Sequence, residues 1–219
     1  MIPLWDATRR PVSLPVMTAL IIATNVIVFI FELYGGEAFV LRWSVVPADI
    51  MAGRHLETIL TSMFLHEGWA HIIGNMVFLW AFGPEIEDVM GPGKYLAFYL
   101  LGGIIAMAAQ ILAMPGSTIP TLGASGAIAA VMGAFLVVYP QDRMRTLLFL
   151  GVFVSMTYIP AALLIGVWFL LQLFGGVGAI ASVDSGGVAY LAHVAGAIFG
   201  AVAVRWFENP QLVAERTSD

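Results

Sequence analysis

The chain has 219 residues, 60% of them hydrophobic and only 11% charged, with a net charge of −5 and a mean hydropathy of +0.94. Soluble domains carry charge on about a quarter of their residues, so this composition excludes an ordinary soluble globule and reads as a polytopic membrane protein. No basic cluster suits nucleic acid, and the absence of cysteine excludes disulfides, thiolate metal sites and a cysteine nucleophile.

A span needs about 20 mostly apolar residues. The first is expected at Leu14–Leu33, a retained helix and not a cleaved signal, since no small-residue cleavage site follows it. A long polar segment, Tyr34–Gly68, leads to a second span near Trp69–Val89, and GPGK at 91–94 turns the chain into a third near Tyr95–Met114. The fourth is expected at Ser125–Tyr139. The apolar stretch from Thr146 to Phe174 is too long for one helix and is divided by Pro160; it reads as an interfacial approach, Thr146–Met156, and a fifth span, Ile159–Phe174. A Gly/Ser-rich connection, GGVGAIASVDSGG, precedes a sixth span near Val188–Phe207. The expected architecture is all-α: a short cytoplasmic segment at 1–13, a six-transmembrane-helix domain at 14–207 and a short cytoplasmic tail at 208–219. Six spans put both termini on one side with Arg9, Arg10, Lys94, Arg143, Arg145, Arg205 and Arg216, against Arg42 and Arg54 on the other. That bias marks the first side as cytoplasmic. Trp5, Trp43, Trp69, Trp80 and Trp206 read as an interfacial aromatic belt.

Polar side chains inside spans are costly and are candidates for function. Asn25, His71, Asn75, Gln110, Ser125, Gln172 and His193 qualify. The second, fourth and sixth helices run in the same direction. His71 and Asn75, Ser125, and His193 all fall within the first turns of those helices, so three distant segments deliver polar groups to one layer in the outer half of the membrane. His71 and Asn75 are four apart and share a helix face. Ser125, Ala129 and Gly133 form a small-residue stripe on the fourth helix; Gly196, Ala197 and Gly200 follow His193 on the sixth. Such stripes let membrane helices approach closely. Asn25, Gln110 and Gln172 read as interhelical hydrogen bonders.

A serine hydroxyl needs a base to become a nucleophile, and His193 can take its proton and return it to a leaving amine. His71, the Asn75 amide and the Ser125 backbone N–H can serve as donors to an oxyanion, helped by the positive end of the fourth helix. No acid accompanies His193 within its span, so the arrangement is a dyad. Alone, Ser125 reads more readily as a helix N-cap than as a nucleophile, and His193 and Asn75 as interhelical hydrogen bonders.

The segments FLHEGWAHIIGN (64–75), GASG (123–126) and AHVAGAIFG (192–200), in this order on these helices, resemble the rhomboid family of intramembrane serine proteases. The resemblance covers about Val16 to Phe207. It implies a rhomboid-like bundle in which Ser125 is the nucleophile and His193 the base, with His71 and Asn75 lining the oxyanion site. It further implies structural roles for His66 and Glu87, and close packing at Gly123, Gly126, Gly133, Gly196 and Gly200. Substrates are then single-span membrane proteins in the lipid bilayer, cut near the outer ends of their helices without metal or cofactor, at a prokaryotic plasma membrane. Two positions depart from the pattern. A Trp–Arg pair frequent in the family's first loop reads Glu57–Thr58, and an aromatic found one turn after the serine in some members reads Ala129. Two other classes compete: a catalytically silent rhomboid-like binder of membrane helices, whose members usually lack the serine or the histidine, and a small transporter, whose polar residues would line a path through the membrane.

Overall fold

The computed structural model describes residues 1–150, 153–180 and 190–217; side chains at 150, 172–180 and 214–217 are outside the description. Strand β1 (Ile2–Asp6) precedes α1 (Val16–Trp43). Short helices α2 (Pro47–Met51) and α3 (Thr58–Thr61) follow, and then α4 (Trp69–Met90), α5 (Pro92–Ala113) and α6 (Ser125–Val138). Strands β2 (Arg143–Leu150) and β3 (Phe153–Pro160) lead into α7 (Ala161–Ile180), α8 (Tyr190–Phe207) and α9 (Pro210–Thr217). The molecule is mostly helical, and the main helices lie close to the expected stretches. Three of them, α1, α5 and α8, are long and apolar enough to cross a membrane outright.

Two of the others fall short for physical reasons. α4 has the length, but His71, Asn75, Glu85, Glu87 and Asp88 dilute its apolar character. α6 is apolar but has only 14 residues, about 21 Å at ~1.5 Å of rise per residue, against a hydrocarbon layer of about 30 Å. α6 is also the centre of the bundle: every residue from Gly126 to Phe135 is buried.

The all-α expectation needs correction. Ile2–Asp6, Arg143–Leu150 and Phe153–Pro160 build a three-stranded antiparallel sheet in the order β1-β2-β3, so the described part of the stretch expected as an interfacial approach is instead paired strands. FVSMTYIP is rich in β-branched and aromatic residues, and RMRTLLFL on the other side of Gly151 carries Thr146 and Phe149, which suits paired strands. α7 accordingly begins at Ala161, after Pro160, and not at Ile159. α1 outruns its expected end because Gly36, at φ +61°, kinks the chain and a short helical piece continues to Trp43.

Helix packing explains the glycines. A β-carbon on Gly196 would lie 2.2 Å from the Gly126 carbonyl oxygen, one on Gly200 1.9 Å from that of Ala130, and one on Gly133 2.2 Å from that of Ala197. These are backbone atoms that cannot step aside, so only glycine allows α6 and α8 to lie this close. On the other flank of α6, a β-carbon on Gly126 would lie 2.6 Å from the β-carbon of Ala106 on α5.

The end of the bundle carrying the sheet is tied by acids. Glu87, near the C-terminus of α4, accepts the N–H groups of Met17 (2.8 Å) and Thr18 (2.7 Å) and the Thr18 hydroxyl (2.7 Å). It thereby satisfies donors that the first turn of α1 cannot pair itself. Asp88 next to it accepts the N–H groups of Val12 (2.9 Å) and Ser13 (3.0 Å). Arg9 pairs with buried Asp142 and stacks over the Tyr139 ring at 4.0 Å.

Candidate active site

At the opposite end, the N-termini of α4, α6 and α8 converge. The short α6 begins below the level its neighbours reach, and a cavity of about 390 Å³ opens above it. His71, Asn75, Gln110, Ser125, Trp168 and His193 are among its lining residues. His193 Nε2 lies 2.6 Å from Ser125 Oγ. Both sit directly beside the Gly126–Gly196 contact, so the glycine packing that closes α6 on α8 is what sets this distance.

The histidine is buried, at 4% exposure, and the Trp168 ring of α7 packs against its imidazole with centroids 5.2 Å apart. The aromatic missing at Ala129 is thus supplied from another helix. Sequence reasoning did not single out Trp168. The signal available was its position: it stands within the expected fifth span and outside the set of tryptophans read as the belt.

His71 is oriented by the loop preceding it. The Glu67 N–H donates to His71 Nδ1 at 3.4 Å. An acceptor Nδ1 in a neutral ring leaves the proton on Nε2, which lies 3.0 Å from the place a β-carbon would occupy on Gly123. Gly123 has φ +126°, a conformation suited to glycine, so here glycine is required by backbone shape and by the imidazole alongside it. Asn75 is buried, and its Nδ2 has no hydrogen-bond partner among the described residues; nor has His193 Nδ1. A buried amide donor left unpaired and lining a cavity is costly in structural terms alone.

His66 is fully buried below this layer. Its N–H donates to the Glu32 carboxylate at 3.1 and 3.2 Å, and its ring meets the His71 ring edge-on at 5.1 Å. It supports His71 and does not line the cavity.

The loop carrying the departure Glu57–Thr58 is anchored by other means. Arg42 bonds Glu57 at 3.2 Å, and the Thr61 hydroxyl donates to the Trp43 carbonyl at 2.8 Å. Val45 and Thr121 exchange two backbone hydrogen bonds, 3.0 and 2.7 Å. The Gly123 N–H donates to the Ser62 carbonyl at 2.8 Å, tying the first loop to the backbone beside Ser125.

Of the remaining polar positions, Gln110 lies in the cavity lining, and its amide nitrogen reaches Met114 Sδ at 3.6 Å in its own helix. Asn25 donates to the Ile21 carbonyl of its own helix at 2.7 Å. The Gln110 bond stays within its own segment, whereas the Asn25 side chain also engages the Tyr99 hydroxyl of α5 and so links two helices as expected. Trp5 lies in β1 under the Arg145 guanidinium. Gln172 and the GGVGAIASVDSGG connection lie outside the described side chains.

An integral membrane protein with a serine and a histidine in contact at the floor of a cavity is therefore the class that fold and site define. Comparison with known proteins agrees: a family model for the Rhomboid domain matches residues 53–208. The chain belongs to the rhomboid family. Rhomboid protease GluP of Bacillus subtilis is 32% identical over 141 residues, covering 63% of this chain and 27% of that protein. The mitochondrial presenilin-associated rhomboid-like protein of Bos taurus is 29% identical over 150 residues, covering 64% and 35%. The mitochondrial Rhomboid protein 1 of Saccharomyces cerevisiae is 26% identical over 134 residues, covering 59% and 38%. The matches span about a third of the length of these relatives.

Proposed function

We propose that the protein is an intramembrane serine endopeptidase that hydrolyses peptide bonds near the outer ends of substrate transmembrane helices. The 2.6 Å contact between His193 Nε2 and Ser125 Oγ carries the reading. In the proposed reaction Oγ attacks the scissile carbonyl carbon while its proton passes to Nε2. The oxyanion is met by the His71 Nε2–H, the unpaired Asn75 amide and the Ser125 N–H at the positive end of α6. Collapse of the intermediate breaks the C–N bond, and imidazolium gives its proton to the leaving amine. A water then attacks the ester, its proton going to Nε2; the new acid departs and Oγ regains its proton. Trp168 holds the imidazole at its working angle, and His66 backs His71.

The topology proposed with this function has six membrane passes, both termini cytoplasmic and the cavity open to the outer side of a prokaryotic plasma membrane. The arginine and lysine bias supports the sidedness, and the Bacillus subtilis match supports the host class. Substrate enters from the lipid between α4 and α7, where Phe78 and Trp168 meet with ring centroids 5.9 Å apart. A covalent crosslink between these helices that left cleavage unchanged would refute that route.

The deciding experiment incubates purified protein with a generic single-span substrate and compares wild type with Ser125→Ala and His193→Ala. Loss of cleavage in both, together with labelling of wild type but not Ser125→Ala by a serine-reactive phosphonate, is the expected result. A folded wild-type protein that neither cuts nor labels is instead a silent binder of membrane helices.

A further inference from the structure

The sheet was absent from the sequence expectations, and its outer face is unlike the rest of the molecule. In the register of the three strands, Trp5 pairs with Arg145 and Arg145 with Tyr158. The three therefore form one cross-strand row on a single face. The Arg145 guanidinium lies over the Trp5 ring at 4.9 Å. Two residues along, on the same face, Leu147 pairs with Met156; two further, Phe149 pairs with Val154. Met156, Phe149 and Val154 are all more than half exposed. The opposite face, with Met144 and Thr146 buried, packs on the bundle. A cavity of about 360 Å³ opens at the cationic row, lined also by Asp6, Arg9 and Arg10.

The charges here are unequally available. Arg9 is paired with Asp142. Asp6 is buried, at 2% exposure; burial and a hydrogen bond to Asp142 raise its carboxyl toward neutrality. Arg10 is exposed. Among the described residues Arg145 commits only Nε, to Met156 Sδ, and a guanidinium has four further N–H donors. The face thus runs from a forked, aromatic-framed cationic row onto a bare apolar strip whose far end, at Phe149, lies about 13 Å from that row, taking ~3.3 Å per residue. That order, charge then hydrocarbon, is the order of a phospholipid.

We propose that this face binds one anionic phospholipid. Its headgroup phosphate lies on Arg10 and Arg145 between Trp5 and Tyr158, and its acyl chain lies along Leu147, Met156, Phe149 and Val154. Bidentate arginine suits a phosphate, aromatic side chains with polar tips suit the headgroup level, and an exposed apolar strand face on an integral membrane protein has lipid as its natural cover.

The test uses the intact protein in a nonionic detergent and reads retained lipid by native mass spectrometry. Short-chain phosphatidylglycerol, phosphatidylcholine with the same chains, and inorganic phosphate as a competitor are the probes. The expected result is one retained phosphatidylglycerol, preferred about tenfold over phosphatidylcholine, with the preference reduced about fivefold by Arg10→Gln and by Arg145→Gln. Lys94→Gln, which removes a charge at the same end but off the sheet, is expected to leave it unchanged. Equal retention of both lipids, an unchanged preference in both arginine variants, or an equal loss in Lys94→Gln overturns the proposal. Displacement of phosphatidylglycerol by millimolar phosphate would make this a site for free phosphate and overturn the lipid assignment. Arg10→Gln alters an exposed side chain outside the strands, so it remains informative if Arg145→Gln disturbs the sheet.

Discussion

The two ends of the bundle treat polar groups in opposite ways. At the sheet end, buried acids are consumed: Glu87 closes the first turn of α1, Asp88 holds the residues before it, and Asp142 takes Arg9. At the cavity end, the Asn75 amide and His193 Nδ1 are buried without a partner among the described residues. The first pattern is what stability asks of a buried charge. The second costs stability, and its worth must come from elsewhere. Burial and polarity alone therefore do not separate framework from candidate chemistry in this protein, and neither does an unspent hydrogen bond, since both ring nitrogens of buried His66 also lack a partner among the described residues; what marks Asn75 and His193 is that they line the cavity as well.

Changes at each end should expose that contrast. The largest effect is expected from Ser125→Ala, which should lower the cleavage rate by about 10³-fold or more while leaving the melting temperature in detergent near wild type. Asn75→Ala should follow, with kcat reduced by about 10²-fold and KM little altered, as for loss of an oxyanion donor. Circular dichroism should show the fold intact or slightly stabilised, since an unpaired donor is removed. A large rise in KM at constant kcat would instead assign Asn75 to substrate binding.

Glu87→Ala reverses the pattern. It strands buried donors at the start of α1 and should cost about 2 kcal/mol in denaturant unfolding, with the residual folded enzyme cutting at its normal rate. Gly200→Ala connects the two ends: its methyl meets the Ala130 carbonyl, so about 1–2 kcal/mol of stability should be lost. Because α8 is pushed off α6, cleavage should fall as well.

The smallest effect concerns the strap formed by β1. The Asp6 carboxyl is raised from 3.8 to about 7, by burial first and by its hydrogen bond with Asp142 second. The docked strand therefore holds a proton that the released strand has given up between those values. Attachment is strongest below that window and weakens as pH rises through it. Hydrogen exchange at Ile2–Asp6, corrected for intrinsic rates, should show protection falling from pH 5 to 8, and Asp6→Asn should flatten the profile.

Much of the helical frame was legible because apolar runs and their breakers set it. GPGK, PGSTIP and Pro160 each interrupt the chain close to where a helix stops or starts. Ser125 and His193 could be paired on paper because small-residue stripes imply close backbones, and Gly196 and Gly200 lie against α6 as that argument requires. The sheet was not legible. RMRTLLFL followed by FVSMTYIP is apolar in a membrane-like composition, and its strand periodicity is masked because the apolar strip faces outward. Nor did the sequence reveal Trp168 against His193, or Thr121 on Val45. Both are contacts between segments whose spacing along the chain carries no periodic signal.

The brevity of α6 has a metric consequence. A helix of about 21 Å in a layer of about 30 Å leaves roughly 9 Å unspanned, equal to about six residues of a helical substrate at ~1.5 Å each. For a protease of the kind proposed, with the other end of α6 level with the inner boundary, this deficit acts as a ruler. It fixes the cut by depth as well as by side-chain identity. Lengthening the apolar run of a substrate should move the cut along its sequence, and a thicker bilayer should shift it in step.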